Sequence, residues 1–421
     1  MQKQDFRRTF VRDAEYGAAS FGIWVFLALL TGALVGAAGT LFSFVLHWVN
    51  AARAAYPQLL WGLPAAGVLI VFLYHIGGAD HSRGTNLVLE AVRGEAQPPA
   101  KMAPLIFVST AITHLFGGSA GREGAALQLG GSIGSLLGHT LRLDETKMRG
   151  VVMCGMSAAF AALFGTPLTA AVFSLELAAV GVMRYGALVP CALSAVTASS
   201  IAAACGVEAE GFSLAACAVT PVNLLRMLVL GALCAGVGIL LCIVLHAGGH
   251  LAARLVSNMY LRAALGGALI IGLTLLLGTR DYLGAGMDVI ARAVEEGETS
   301  PGAFLFKMLF TSITLGCGFK GGEIVPTFFV GATFGCAVGG LLGLDPCFAA
   351  AVALICLFCA VTNCPMASLL LAFELFGFVS PALFLVAVSV SYMISGYYSL
   401  YSSQLFTEDK LNPVSSPHQG H

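Results

Sequence analysis

The chain alternates long apolar stretches with short polar ones. Residues 22–49 and 227–245 contain no Asp, Glu, Lys or Arg, and about 20 apolar residues are enough to cross the hydrocarbon core of a bilayer. These two stretches therefore predict membrane-spanning helices. Because similar stretches recur along most of the chain, the pattern predicts an all-α, polytopic membrane protein.

Other apolar segments are too short for a straight crossing. Each is bounded by Gly, Pro or a lone charge, and they cover residues 103–116, 150–164, 167–180, 326–341 and 365–376. In lipid, a backbone can break only where other protein or a water-filled cavity satisfies the freed polar groups. The pattern therefore predicts tilted and broken helices that meet inside the protein, which is typical of transporters.

The two halves of the chain resemble each other at an offset of about 200 residues. Glu176 follows Pro167 by nine residues, and Glu374 follows Pro365 by nine. Glycines upstream of these pairs also match: Gly121, Gly130 and Gly134 correspond to Gly322, Gly331 and Gly335. Such duplication predicts two inverted structural repeats, with a site at their interface near the membrane midplane.

A polar stretch near the middle of the chain separates these halves. The predicted parts are a cytoplasmic N-terminal segment 1–21, a first transmembrane half 22–205, a linker 206–221, a second transmembrane half 222–406 and a cytoplasmic tail 407–421. The cytoplasmic N-terminus is predicted because positive residues precede the first span. These residues are Lys3, Arg7, Arg8 and Arg12.

Composition supports the same class of protein. The chain is 58% hydrophobic and 10% charged, whereas roughly a quarter of the residues of a soluble protein are charged. The net charge of -1 provides no basic field for nucleic acid. Cys356 and Cys359 are three apart, but no second Cys or His pair accompanies them, so we expect buried thiols and neither a metal nor a cofactor.

The segment 117–124 carries the clearest chemistry. Its glycines let several N–H groups converge at a helix start, where the positive end of the helix dipole favours an anion. Placing the charged side chains of Arg122 and Glu123 inside a membrane costs free energy, so such residues usually have a function there. Their presence argues against a segment that is only a flexible loop. A carboxylate there mimics the transported anion, and protonation removes its charge, so Glu123 can act as a proton-operated gate.

The segment 316–329 repeats this plan. A glycine-rich break enters a helix, and Pro326 suits the first helical turn. Lys320 and Glu323 are three residues apart. They could neutralise each other as a structural pair, or Glu323 could relay protons, as intramembrane acids commonly do.

Two further elements are weaker when taken alone. Thr85 and Asn86 can donate hydrogen bonds, although polar residues at a loop end are often solvated caps. Tyr401 is one of three tyrosines near a membrane boundary, and tyrosines there commonly form an interfacial belt.

In chain order and separation, these four elements resemble the anion-binding segments of the CLC family of anion channels and anion/proton antiporters. The family's Gly, Lys or Arg, Glu, Gly, Pro pattern matches residues 121–124, with Ala125 in place of the proline, and places its gating glutamate on Glu123. Its Gly, x, Phe, x, Pro segment falls on 322–326, and its pore tyrosine falls on Tyr401. The resemblance implies a homodimer with one anion pathway per subunit and both termini cytoplasmic.

Within that family, the chain looks most like the fluoride/proton antiporter branch. Asn86 with Leu87, the Gly-Arg-Glu-Gly core and residues 318–323 match that branch, in which the acid matching Glu323 takes part in coupling. The internal proton glutamate of the chloride antiporters corresponds to Leu177, so their proton route looks absent here.

Two positions depart even from the fluoride branch. Thr85 stands where a methionine is common and could donate a hydrogen bond to chloride. Val325 stands where a threonine is common and offers no side-chain donor to fluoride. Anion selectivity therefore stays open between fluoride and chloride.

We expect a transporter of the bacterial cell membrane that exports fluoride as protons move inward. Its expected partners are fluoride or chloride, protons, membrane lipid and a second copy of the chain, without nucleic acid. The gating and proton-transfer residues are Glu123 and Glu323. The expected anion-binding residues are Thr85, Asn86, Gly121, Arg122, Gly124, Ile324, Val325 and Tyr401.

Two alternatives remain. The chain could be a chloride/proton antiporter or a passive chloride channel in which Glu323 is a structural partner of Lys320. An intramembrane enzyme with Glu123 and Glu323 as paired acids is less favoured, because His114 and His139 are isolated and form no metal motif.

Glu176 and Glu374 have a structural interpretation. Each lies nine residues past its proline, and we expect each to reach a helix end or to cap a neighbouring turn.

Overall fold

The computed structural model describes residues 2–79, 83–407, 409–411 and 418–419, with side chains from residue 19 up to 411. The basic residues before the first span lie outside the described side chains. The helices are α1 Gln2–Ala55, α2 Leu63–Ile76, α3 Thr85–Arg93, α4 Met102–Leu115, α5 Glu123–Thr140, α6 Glu145–Phe164, α7 Pro167–Glu176, α8 Leu188–Ala204, α9 Pro221–Leu255, α10 Met259–Leu277, α11 Met287–Ala291, α12 Ala303–Gly316, α13 Ile324–Gly339, α14 Pro346–Thr362, α15 Pro365–Phe376 and α16 Pro381–Ile394. Three two-residue strands, β1 Ala179–Val180, β2 Leu405–Phe406 and β3 His418–Gln419, complete the fold.

Helices of two lengths make up the fold. Within the described residues, seven helices are long and apolar enough to cross a membrane, and five shorter apolar helices accompany them. The all-α, polytopic architecture with broken helices is therefore confirmed. Two segments predicted to be too short are in fact longer: α6 begins at Glu145 rather than Gly150, and Ile324–Leu342 covers 19 residues. The missed first turn of α6 is polar, so hydropathy alone ended the segment too early.

Reciprocal helix capping links the two halves. The Glu176 carboxylate, at the end of α7, accepts hydrogen bonds from Met366 N at 3.2 Å and Ala367 N at 2.9 Å, in the first turn of α15. The Glu374 carboxylate, near the end of α15, accepts from the backbone N–H groups that open α7, at 2.9 and 2.8 Å. Each half thus caps the other, as a two-fold relation requires.

Threonines of the two halves make a second exchange. The glycine-rich segments before α5 and α13 are called the first and second breaks. Thr113 Oγ1 on α4 accepts a hydrogen bond from Lys320 N in the second break, at 3.3 Å. Thr314 Oγ1 on α12 accepts one from Ser119 N in the first break, at 3.1 Å. In each break, a backbone N–H group therefore donates its hydrogen bond to a threonine of the opposite half. Neither half alone provides acceptors for all of its buried N–H groups.

Glycines bring neighbouring helices into close contact. A Cβ on Gly130 of α5 would lie 2.1 Å from Gly155 O of α6, and a Cβ on Gly331 of α13 would lie 2.7 Å from Ala353 O of α14. Small residues that let helices approach this closely are typical of membrane helix packing. The two helices that begin at the breaks are therefore fixed against equivalent neighbours.

The short sheet positions the chain after α16. Strand β2 pairs parallel with β1 and antiparallel with β3. This pairing attaches the turn containing Tyr401, just before β2, to the chain that follows α7.

The reciprocal caps predict a stability effect. Glu374→Ala and Glu176→Ala should each lower the free energy of unfolding by about 1 to 3 kcal/mol, because two backbone N–H groups at a helix start lose their acceptor. Thermal unfolding of the detergent-solubilised protein measures this loss. The exposed Glu298 provides a control, and equal melting temperatures for Glu374→Ala and Glu298→Ala would contradict the capping role.

Candidate functional site

The two glycine-rich breaks contact each other directly. Gly121 N donates to Gly322 O at 2.7 Å, and Gly322 N donates to Gly121 O at 2.8 Å. This antiparallel bridge lies two residues before both α5 and α13. It therefore brings the N-termini of the two helices, and the positive ends of their dipoles, to one place.

Glu123 occupies that place. Its side chain is fully buried, and Oε2 accepts hydrogen bonds from Val325 N at 3.1 Å and from Arg122 N at 3.1 Å. The carboxylate of one break is thus held by the backbone amide of the other. Its second oxygen, Oε1, has no hydrogen-bond partner among the described residues.

Missing Cβ atoms leave room around this carboxylate. A Cβ on Gly322 would lie 2.6 Å from Gly124 N and 3.0 Å from Glu123 Oε2. A Cβ on Gly124 would lie 3.2 Å from both Glu323 Oε2 and Thr85 Oγ1. The space beside Gly124 is therefore flanked by an acid from one half and a hydroxyl from the other.

A cavity of about 210 Å³ adjoins this space. Its lining includes Thr85, Asn86, Gln128, Glu323 and Tyr401. The Tyr401 side chain is 3% exposed, and its hydroxyl has no hydrogen-bond partner within the described part of the chain. This burial is incompatible with an interfacial belt and leaves a donor directed into the protein.

Thr85 and Asn86 have different surroundings at the start of α3. Thr85 Oγ1 lies 3.4 Å from Gly124 O and 3.4 Å from Gln128 Nε2, both weak contacts that an incoming acceptor could replace. Asn86 Oδ1 accepts from Ser403 N at 3.0 Å and from Ser403 Oγ at 2.9 Å. Asn86 therefore ties α3 to the turn that carries Tyr401, while also lining the cavity.

Lys320 and Glu323 do not form an ion pair within 4.0 Å; the pairs that the described residues make involve other groups. Lys320 Nζ instead lies 4.5 Å from the centre of the Tyr74 ring. Glu323 lines the cavity beside Gly124. Lys320 lines the same cavity, so the interpretation of Glu323 as a structural partner of Lys320 stays open.

Other predicted residues contribute through their backbone or face elsewhere. Val325 supplies the N–H that holds Glu123, and Ile324 is buried as the first residue of α13. The guanidinium of Arg122 points to the linker, where Nη2 lies 2.5 Å from Glu210 Oε1. Gly121, Gly124, Thr85, Asn86, Glu323 and Tyr401 surround Glu123 or the adjoining cavity.

A polar cluster that the sequence did not indicate positions Tyr401. Gln404 Nε2 donates to Leu177 O at 2.9 Å and to Thr362 O at 2.7 Å. Ser399 Oγ donates to Gln404 Oε1 at 2.7 Å and accepts from Tyr401 N at 3.0 Å. The residue pattern Ser-Leu-Tyr gave no signal of these contacts, because they depend on distant backbone carbonyls.

Lys307 is a second buried polar residue that was not among the predicted functional residues. This lysine is fully buried on α12, and its Nζ donates to Gly284 O at 2.7 Å and to Tyr282 O at 3.2 Å. A lone lysine inside an apolar helix was a usable signal, since intramembrane charges are rarely without a partner. Its contacts fix the loop before α11.

Comparison with known proteins identifies the family of the chain. The family model described as voltage gated chloride channel matches residues 66–396. A chloride/fluoride channel protein of Pseudomonas syringae pv. tomato is 36% identical over 393 residues, covering 90% of this chain and 86% of that protein. The H(+)/Cl(-) exchange transporter ClcA of Vibrio cholerae is 26% identical over 384 residues, covering 83% and 81%.

Solved structures give the same result. The crystal structure of a CLC-type fluoride/proton antiporter aligns with a TM-score of 0.89 at 33% identity, over 92% of this chain and 98% of that one. A slow cyanobacterial Cl-/H+ antiporter shares the fold, with a TM-score of 0.77 at 19% identity, over 88% and 94%. The chain is a multi-pass integral membrane protein and belongs to the CLC family, as its sequence motifs predicted.

Proposed function

We propose that this protein exports fluoride across the cell membrane while protons move inward, with Glu123 as the gate. The observation that carries the proposal is the Glu123 carboxylate bound to Val325 N, because a carboxylate in that position stands where a free anion would bind. The names of the relatives support the substrate: one is a chloride/fluoride channel protein and another a fluoride/proton antiporter.

The gate operates through charge. As a carboxylate, Glu123 accepts hydrogen bonds from two backbone amides and fills the anion position. Hydrogen bonds to a charged group are roughly twice as strong as neutral ones. Protonation therefore weakens the hydrogen bonds between the two amides and the Glu123 side chain. The side chain then moves out of the anion position, and the freed amides bind the anion.

Donors next to Glu123 provide the rest of the anion site. Thr85 Oγ1 and the Tyr401 hydroxyl border the cavity, and the Tyr401 hydroxyl has no partner among the described residues. A small, strongly hydrated anion needs several donors to replace its water. Backbone amides and hydroxyls supply such donors, and the positively charged Arg83 and Lys320 also line the cavity.

Glu323 is the second proton-transfer group of the proposal. It lies across Gly124 from Thr85 and lines the same cavity. Lys320 lies beyond ion-pair distance of Glu323, although its charge still acts on that carboxylate. Both residues line the cavity with which Glu323 would exchange protons. Protons and anions then use adjoining positions, which couples their movements.

A chloride/proton antiporter is the second candidate. It is favoured by the Thr85 hydroxyl beside the cavity and by Val325, whose side chain offers no donor to fluoride. Reversal potentials in mixed fluoride and chloride gradients, with and without a pH gradient, distinguish the two ions and also a passive channel.

We propose a homodimer with an independent pathway in each subunit, in the inner membrane of a bacterium. The bacterial sources of the relatives support this location.

Replacing Glu123 tests the gate. In proteoliposomes, Glu123→Gln should reduce proton-coupled fluoride efflux at least about tenfold, because the amide can neither ionise nor carry a proton. Paired fluoride-electrode and pH recordings measure both ions. The control is Glu145→Gln, at a side chain that is 90% exposed. Unchanged coupled efflux in Glu123→Gln means that the gate assignment is wrong.

Glu323 and Lys320 are distinguished by a matched pair of variants. We expect Glu323→Gln to lower the number of protons moved per fluoride, whereas Lys320→Met leaves that ratio near wild type. A structural pair would instead make the two variants behave alike. The ratio is obtained from reversal potentials at several pH gradients, and similar losses in both variants would refute the relay role.

The contact between the breaks predicts a steric effect. Gly322→Ala should slow fluoride efflux by roughly tenfold, since its Cβ would collide with Gly124 N and push α5 and α13 apart. Gly272→Ala on α10 is the control, because a Cβ there meets no atom within 4 Å. Equal efflux rates in the two variants would contradict the tight apposition of the breaks.

A further inference from the structure

Residues 207–220, between α8 and α9, form neither helix nor strand. Glu210 N donates to Phe164 O at 3.0 Å, at the end of α6, and Phe212 N donates to Leu375 O at 2.8 Å, near the end of α15. This linker is therefore fixed to both halves of the fold. Its position is defined by contacts rather than by its own secondary structure.

One linker side chain reaches the residue next to the gate. Glu210 Oε1 lies 2.5 Å from Arg122 Nη2, and the two side chains are 28% and 17% exposed. The guanidinium also lies 5.5 Å from the centre of the Phe164 ring. An ion pair that is mostly buried and packed on an aromatic ring is screened by solvent less than a surface pair.

Arg122 matters because of its neighbour. Its backbone N–H donates to Glu123 Oε2 at 3.1 Å, so its charged side chain begins beside the gate carboxylate. Other ionisable groups near Glu123 are Glu323 from the second break, Tyr401 from the turn after α16, and His114 on α4, whose ring contacts Gly121 O at 3.3 Å. Arg83 and Lys320 line the adjoining cavity. Arg122 differs from all of them because it directly precedes Glu123 in the chain.

We propose that Glu210 is a positioning residue for the gate: it holds the Arg122 guanidinium away from Glu123 and compensates its charge. An uncompensated positive charge nearby favours the ionised form of a carboxylic acid. With Glu210 in place, Arg122 opposes protonation of Glu123 less, so Glu123 accepts a proton and leaves the anion position under less acidic conditions than beside an uncompensated Arg122. This inference rests on the proposed gating role of Glu123.

Neutralising Glu210 should change the pH dependence of transport. Glu210→Gln keeps the size of the side chain but leaves Arg122 uncompensated, so more acidic conditions are needed to protonate the gate. We expect the pH of half-maximal fluoride efflux in proteoliposomes to fall by about 0.5 to 1 unit. Glu208→Gln removes the same charge from an exposed position in the same linker and should leave the midpoint unchanged.

Two single variants and their double variant distinguish the positioning role of Glu210 from a general structural role. Arg122→Gln leaves Glu210 uncompensated and should move the midpoint in the opposite direction, to higher pH. The double variant, with both residues changed to Gln, should return it towards wild type. Thermal unfolding in detergent verifies that each variant is folded, and Arg122→Gln provides the test if Glu210→Gln does not fold.

The outcomes distinguish this inference from the proposed function. An unshifted midpoint in folded Glu210→Gln, or an equal shift in Glu208→Gln, overturns the role of Glu210. A downward shift in Arg122→Gln also overturns it. If Glu123→Gln keeps the wild-type pH profile, the gate itself is refuted and the role of Glu210 falls with it; if that variant loses the profile, the gate stands whatever Glu210 does.

Discussion

The two hydrogen bonds between Gly121 and Gly322 are the contact on which the site depends. They align the starts of α5 and α13, so that an amide of one half, Val325 N, meets the carboxylate of the other half, Glu123. Only glycine permits this approach, because a Cβ on Gly322 would lie 2.6 Å from Gly124 N. Broken helices are tolerated inside a membrane only where their free backbone groups find partners. Here the two breaks provide such partners for each other, and the remaining amides can form an anion site.

Reciprocal contacts extend from this bridge through the fold. Glu176 and Glu374 cap helices of opposite halves, and Thr113 and Thr314 accept hydrogen bonds from opposite breaks. Because each half completes the polar contacts of the other, separating them would leave buried backbone groups unpaired, which is costly in lipid. The interface at which Glu123 lies is thus also the interface that stabilises the two halves against each other.

Sequence patterns predicted the features that depend on local residue type. Glycine-rich breaks at equal offsets predicted two related halves. The glycines around Glu123 also predicted that this residue lies at the start of a helix. The caps formed by Glu176 and Glu374 also followed from their equal spacing after a proline. Hydropathy ended α6 too early, because its polar first turn belongs to the same helix.

Features set by distant contacts could not be predicted. The pairing of Arg122 with Glu210 joins residues 88 positions apart, and the tether from Asn86 to Ser403 joins residues 317 positions apart. No short pattern encodes such contacts, since they arise only when the halves fold together. The same reason explains why Tyr401, one of three nearby tyrosines, could not be assigned from spacing alone.

In the proposed mechanism, the Glu123 carboxylate and a transported anion compete for the same backbone amides. Isothermal titration calorimetry of fluoride with the purified wild-type protein and Glu123→Gln, at slightly alkaline pH, measures this competition. We expect fluoride to bind the variant at least about tenfold more tightly, because the competing charge is gone. Equal fluoride affinity in the two proteins would contradict it.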